Sequence, residues 1–167
     1  VNLPKLITKL DEQSKRALEL AAGDAMNSHC PTIELEHWLI QLTYKADASF
    51  NQFLESQKIL PEQLINELSA KLTKLNKGFE GQPSLSGSLT ELIKSAWLAA
   101  TVDFSHNQLT SLHLLLASQQ TNTLGVKALT LPCLDSLSES ALRNQISQLS
   151  IQKTAKGAAE ISNSKAS

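Results

Sequence analysis

Apolar residues recur at helical spacing almost from the start of this chain. Leu3, Leu6, Ile7 and Leu10 fall at i, i+3, i+4 and i+7, one side of a short helix. Asn2 is placed to cap that helix, and Pro4 is acceptable in its first turn. Asp11 stands as the cap of a longer helix that turns Ala17, Leu18, Ala21, Ala22 and Ala25 inward. Leu35, Trp38, Leu39 and Leu42 stripe a helix over about 34–44, and Phe50, Phe53 and Leu54 mark the next. Pro61 opens a further helix, whose Leu64, Ile65, Leu68, Leu72 and Leu75 carry the clearest 3.6-residue period in the chain.

The stretch NKGFEGQPSLSG, from Asn76 to Gly87, contains three Gly and one Pro and predicts a loop. Ser88 followed by Glu91 then reads as a capping box for a helix with Leu89, Leu92, Ile93, Ala96, Trp97 and Ala100 inward. Thr110 is placed to cap a helix holding Leu112, Leu115 and Leu116, and a short helical piece is expected near 124–131. Ser136 and Glu139 form another capping box ahead of Leu142, Ile146 and Leu149. Residues 151–167, IQKTAKGAAEISNSKAS, are small, polar and aperiodic, the composition of a flexible linker or tail. No period-two alternation competes anywhere, so the predicted fold class is all-α.

One phrase is written twice. His37-Trp38-Leu39-Ile40 recurs 76 residues later as His113-Leu114-Leu115-Leu116. With Ala21 aligned to Ala96, the histidine lies 16 residues on in the first copy and 17 in the second. Helix, loop and helix therefore repeat with one residue inserted. The economical architecture is two pseudo-repeated four-helix units, about 10–76 and 86–150, burying their stripes against each other. Residues 1–150 then form one domain, with the short first helix as an extra element.

Composition narrows the function classes. Hydrophobic residues make up 41% and charged residues 19% of the 167, ordinary for a globular chain. Fifteen basic against sixteen acidic residues leave a net charge of −1, which argues against a nucleic-acid or anionic-membrane binder. No apolar run is long enough to span a bilayer and no signal peptide is visible, so a cytoplasmic setting is expected. Cys30 and Cys133 lack CxxC spacing and are expected to be reduced thiols. The chain opens with Val rather than Met, which reads as a piece of a longer protein.

Little here reads as catalytic chemistry. His37 and His113 each stand in the first turn of a helix beside apolar residues, with no second His or Cys at ligand spacing. A local hydrogen bond that fixes the start of the helix is the expected role, not a metal site. His29 and Cys30 are adjacent on a loop, a poor geometry for a base and its nucleophile. GxxxxGK[ST], GxGxxG, HExxH and GxSxG are all missing. The expectation is a non-enzymatic chain with no catalytic residues, no metal and no cofactor of its own.

The doubled phrase resembles the Clp amino-terminal repeat at the front of double-ring AAA+ unfoldases, over about residues 10–150. The segment LITKLDEQSKRALELAAGDAMNSHCPTIELEHWLIQL is similar to the ClpV branch, the ATPases of type VI secretion. Trp38, where relatives usually carry Leu, and the short helix before Asp11 are the features most like that branch. The second copy departs at Ser118, where the phrase usually continues with apolar residues.

The resemblance implies that such a domain does not hydrolyse ATP. It implies recognition of a helix near the amino terminus of the larger sheath subunit, VipB (also called TssC), within the VipA/VipB sheath. Contracted sheath would then pass to a homohexameric motor for disassembly. ATP and magnesium would belong to ATPase modules beyond the linker. Docking of an adaptor or an unfolded client by another Clp-type unfoldase is the alternative implication.

The residues permit such binding. A two-turn helix is not stable alone and must lie on the body. The Ala-rich helix after it, with Gly23, presents shallow relief. The expected surface is therefore a groove between the two, lined by Leu3, Leu6, Ile7, Leu10 and Ser14, with Phe79 of the inter-repeat loop closing one end. The competing expectation is that the four apolar residues simply glue the short helix to the core. Lys5, Lys9, Lys15 and Arg16 give this end a positive bias, read either as a solvated face or as steering for an acidic segment.

Overall fold

In the computed structural model the described residues are 2–44, 48–122 and 124–149. The expected linker at 151–167 lies outside them. The helices are α1 (Leu3–Ile7), α2 (Glu12–Asn27), α3 (Leu35–Tyr44), α4 (Ala48–Ser56), α5 (Pro61–Leu72), α6 (Gly87–Val102), α7 (Ser111–Gln119) and α8 (Glu139–Ser147), with a 3-10 turn at Pro132–Leu134. Two-residue strands β1 (Thr32–Ile33) and β2 (Ser84–Leu85) complete the order. The all-α expectation holds. The first unit is α2 to α5, and the second is α6, α7, the 3-10 turn and α8.

The two copies of the repeated phrase are α3 and α7, the most deeply buried helices. Every residue of α7 is buried, and in α3 all but Glu36, Gln41 and Tyr44 are. Helix α3 packs between α2 and α5, while α7 packs against α6, α8 and α4. A helix apolar on all sides has to be interior, and the others wrap these two with one-sided stripes. Trp38 is fully buried, and its indole N–H donates to the Ser14 carbonyl at 2.9 Å, joining α3 to α2.

The strands were not expected. Thr32 and Ile33 pair in parallel with Ser84 and Leu85, and a lone parallel bridge joins Leu10 to Leu109. Two residues are too few to show a period-two pattern, so their pairing leaves no mark in the sequence.

Two caps also fall earlier or later than the capping-box motif suggests. Helix α6 is capped by Ser86, whose Oγ accepts the Leu89 N–H at 3.0 Å, rather than by Ser88. The Ser86 N–H donates to the Ile33 carbonyl at 3.1 Å, which fixes the extended residue ahead of the helix. Helix α8 is capped by Ser138 rather than Ser136, and the Ser138 N–H donates to Gln57 Oε1 at 2.9 Å. In each case a tertiary hydrogen bond chose among nearby serines.

Residues 124–131 are not helical. Asn122 Oδ1 accepts the N–H groups of Leu124 and Val126, Gly125 adopts φ 75°, and Thr121 bridges Lys127. An Asx-type turn outcompetes the helix there.

Candidate functional site

The two histidines of the repeated phrase serve one purpose. His37 Nδ1 accepts the Glu34 N–H at 2.9 Å, and His113 Nδ1 accepts the Thr110 N–H at 3.0 Å. Each ring reaches back one turn to an amide at the start of its own helix, the reciprocal half of a capping box. Burial holds His37 below the usual imidazole range. Burial, then the neighbouring His106, pushes His113 down to about 3.

His106 was not singled out in the sequence. It lies seven residues before His113 across a loop, a separation with no local periodicity. His113, accepting through Nδ1, carries its proton on Nε2, which faces His106 Nδ1 at 3.0 Å. Phe104 stacks on the His106 ring at 5.7 Å between centroids, and the Arg143 guanidinium lies 5.9 Å from the Phe104 centroid. The two rings form a sealed pair inside the second unit. Among the described residues no group of three or more His, Cys, Asp or Glu could hold a metal ion. Cys30 and Cys133 are free thiols; burial, then Glu67, pushes the Cys133 thiol up to about 12.

The surface around α1 is the better candidate. The four apolar residues of α1 and the turn after it divide into two pairs. Leu6 and Leu10 are 2% and 3% exposed and anchor the segment to the core, while Leu3 and Ile7, one turn apart, are half-covered. Burial thus divides neighbouring residues on one side of the segment. Helix α1 packs on α6, where Asn2, Lys5, Leu6, Lys9 and Trp97 line a cleft of about 480 Å³. Trp97, expected inward, is half-buried, and Lys9 Nζ lies 5.9 Å from its ring centroid.

Of the six expected groove residues only Leu6 lines this cleft; Leu3 and Ile7 are half-covered outside its lining, Leu10 is buried, and Ser14 and Phe79 stand elsewhere. Ser14 is wholly buried on the inward face of α2, its carbonyl taken by Trp38, so it presents no surface to a partner. Phe79 is 39% exposed, but its N–H donates to the His29 carbonyl just past the C-terminal end of α2. Helix α1 joins α2 at the opposite end, and sixteen helical residues span about 24 Å. Phe79, in the loop between α5 and β2, is tied to the α2–β1 turn, whereas α1 packs on α6. Lys5, Lys9 and Trp97 form the cleft that the apolar pattern did not indicate.

Comparison with known proteins bears on the whole domain. The ClpV1 AAA+ ATPase of Pseudomonas aeruginosa is 25% identical over 119 residues, 71% of this chain and 13% of that protein's length. The N-domain of ClpV from Vibrio cholerae superposes with a TM-score of 0.78 at 24% identity, covering 90% of this chain and 93% of that one. A complex of a ClpV N-domain with a VipB peptide superposes at 0.71 and 26% identity, covering 89% and 88%. Residues 9–131, about three-quarters of the sequence, match the Clp repeat N-terminal domain. The chain belongs to the Clp repeat N-terminal domain family.

Proposed function

We propose that this domain is the substrate-receiving module of a ClpV-type ATPase and binds an amphipathic amino-terminal helix of the sheath subunit VipB along α1. The observation that carries this reading is the division along residues 3–10: Leu6 and Leu10 hold the segment to the core while Leu3 and Ile7 stay half-covered. Likeness to a ClpV N-domain solved with a VipB peptide supports it. Apolar anchors at i, i+3 and i+4 of an incoming helix would complete the cover of Leu3 and Ile7. Each such contact contributes roughly 1.5–3 kcal/mol per fully buried side chain; two of them fall short of the ~8 kcal/mol net that micromolar affinity requires once association is counted, so further contacts along the helix supply the rest.

In this reading the domain itself performs no chemistry. ATP and magnesium act in ATPase modules of a hexameric parent, which uses the captured helix to disassemble contracted sheath in the bacterial cytoplasm. Fluorescence anisotropy of a labelled amino-terminal VipB peptide tests the binding step. Saturable micromolar binding, lost when the peptide's apolar residues are replaced by Ser, is expected. Absence of binding, with capture of adaptor or unfolded client instead, would assign the domain to another Clp-type unfoldase.

A further inference from the structure

Lys5 and Lys9 stand about one helical turn apart on the wall of the α1–α6 cleft, with Leu6 as floor and Trp97 opposite. Their charges are unmatched locally. On α6, Lys94 is paired with Glu91 at 3.6 Å, whereas among the described residues neither Lys5 nor Lys9 has an ion-pair partner. Lys9 is half-buried and rests its ammonium on the Trp97 ring face. A wholly apolar helix laid across this wall would strip water from that ammonium with nothing in exchange, which costs free energy. A basic residue at the same place would be repelled. A carboxylate between the two ammonium groups relieves both penalties and adds a charge-assisted hydrogen bond.

We propose that the α1–α6 cleft selects partner helices carrying an Asp or Glu one turn from their apolar anchors, with the carboxylate seated between Lys5 and Lys9. The occupant is an acidic amphipathic helix, and the cleft supplies specificity through rejection of neutral and basic segments as much as through attraction. This rests on the helix-binding reading above.

The test titrates the domain with the amino-terminal VipB peptide and with each version in which one acidic residue is replaced by its amide. Trp97 fluorescence and calorimetry are the readouts. One amide version is expected to bind about fivefold more weakly. That difference should vanish in Lys9→Gln and shrink in Lys5→Gln, both folded by circular dichroism. Equal binding of every amide version would overturn the acidic subsite and leave helix binding standing, as would a difference that persists unchanged in both lysine variants. Failure of the parent peptide to bind would remove the functional reading itself, and the subsite with it.

Discussion

Leu10 and Leu109 lie side by side in a parallel bridge. The Leu109 N–H donates to the Lys9 carbonyl at 2.7 Å, and the Asp11 N–H donates to the Leu109 carbonyl at 2.8 Å. The other half of the molecule repeats the arrangement: the Ser84 N–H donates to Pro31 and the Ser86 N–H to Ile33. Asp11 and Ser86 are the caps of α2 and α6, and Ile33 and Leu109 precede the two histidine-capped helices. The first helix of each unit therefore starts where the other unit's backbone holds it.

That exchange makes the units interdependent. Leu109→Ala leaves a void at a fully buried site and loosens the bridge, at a cost of about 3 kcal/mol. Urea unfolding followed by circular dichroism and by tryptophan fluorescence should nonetheless give coincident single transitions. Separate transitions would show that each unit is stable alone.

The histidine caps should differ in weight. His37→Ala removes one acceptor from a helix start and is expected to cost about 1 kcal/mol. His113→Ala orphans the Thr110 amide and also takes the partner of His106 in a sealed pocket, so about 3 kcal/mol is expected. Equal losses in chemical denaturation would count against the structural importance of the pair.

Acid should weaken the fold through His113. Its folded value is about 3 against an ordinary 6.5, so both states are neutral above 6.5 and the contribution there is constant. Between 6.5 and 3 the unfolded chain takes up a proton that the folded chain refuses. Stability then falls by about 1.4 kcal/mol per pH unit from this group. Glu36, raised chiefly by burial, acts in the opposite sense around its own range. The slope of wild type minus that of His113→Ala, from urea midpoints at pH 7.5, 6.0 and 5.0, isolates the histidine. Parallel slopes would refute the assignment.

The division within α1 separates two substitutions that the sequence pattern treats alike. Ile7→Glu is expected to weaken VipB-peptide binding about tenfold and to leave the melting temperature within about 2 °C, because Ile7 is half-covered. Leu6→Glu buries a carboxylate in the core and should cost about 3 kcal/mol or release α1 altogether. Anisotropy alongside thermal melts decides between them. Comparable losses of stability in both would mean that α1 is all glue.

Much of the fold is legible in the chain because helices are local objects. The stripes on α2, α5 and α6, the Gly-marked break after Asn76 and the doubled histidine phrase all follow from spacings of a few residues. The caps Asn2, Asp11 and Thr110 stand where read. Ser88 and Ser136 do not, since Ile33 and Gln57 draw the helix starts to Ser86 and Ser138 from far along the chain. The candidate surface was half legible. Leu3 and Ile7 lie on the anticipated helix, but nothing near them in sequence announces Trp97.

What the sequence alone determined is which segments are helical, that the motif is duplicated, and that His37 and His113 begin their helices, because a helix depends on residues within about one turn. Tertiary structure decided which of the four apolar residues between Leu3 and Leu10 stay reachable, which serine caps α6 and α8, and that His106 meets His113. Those outcomes depend on which surfaces are pressed together: the caps and the cover of residues 3–10 on contacts between segments distant in sequence, and the histidine pair on how the loop after α6 folds back within its own unit.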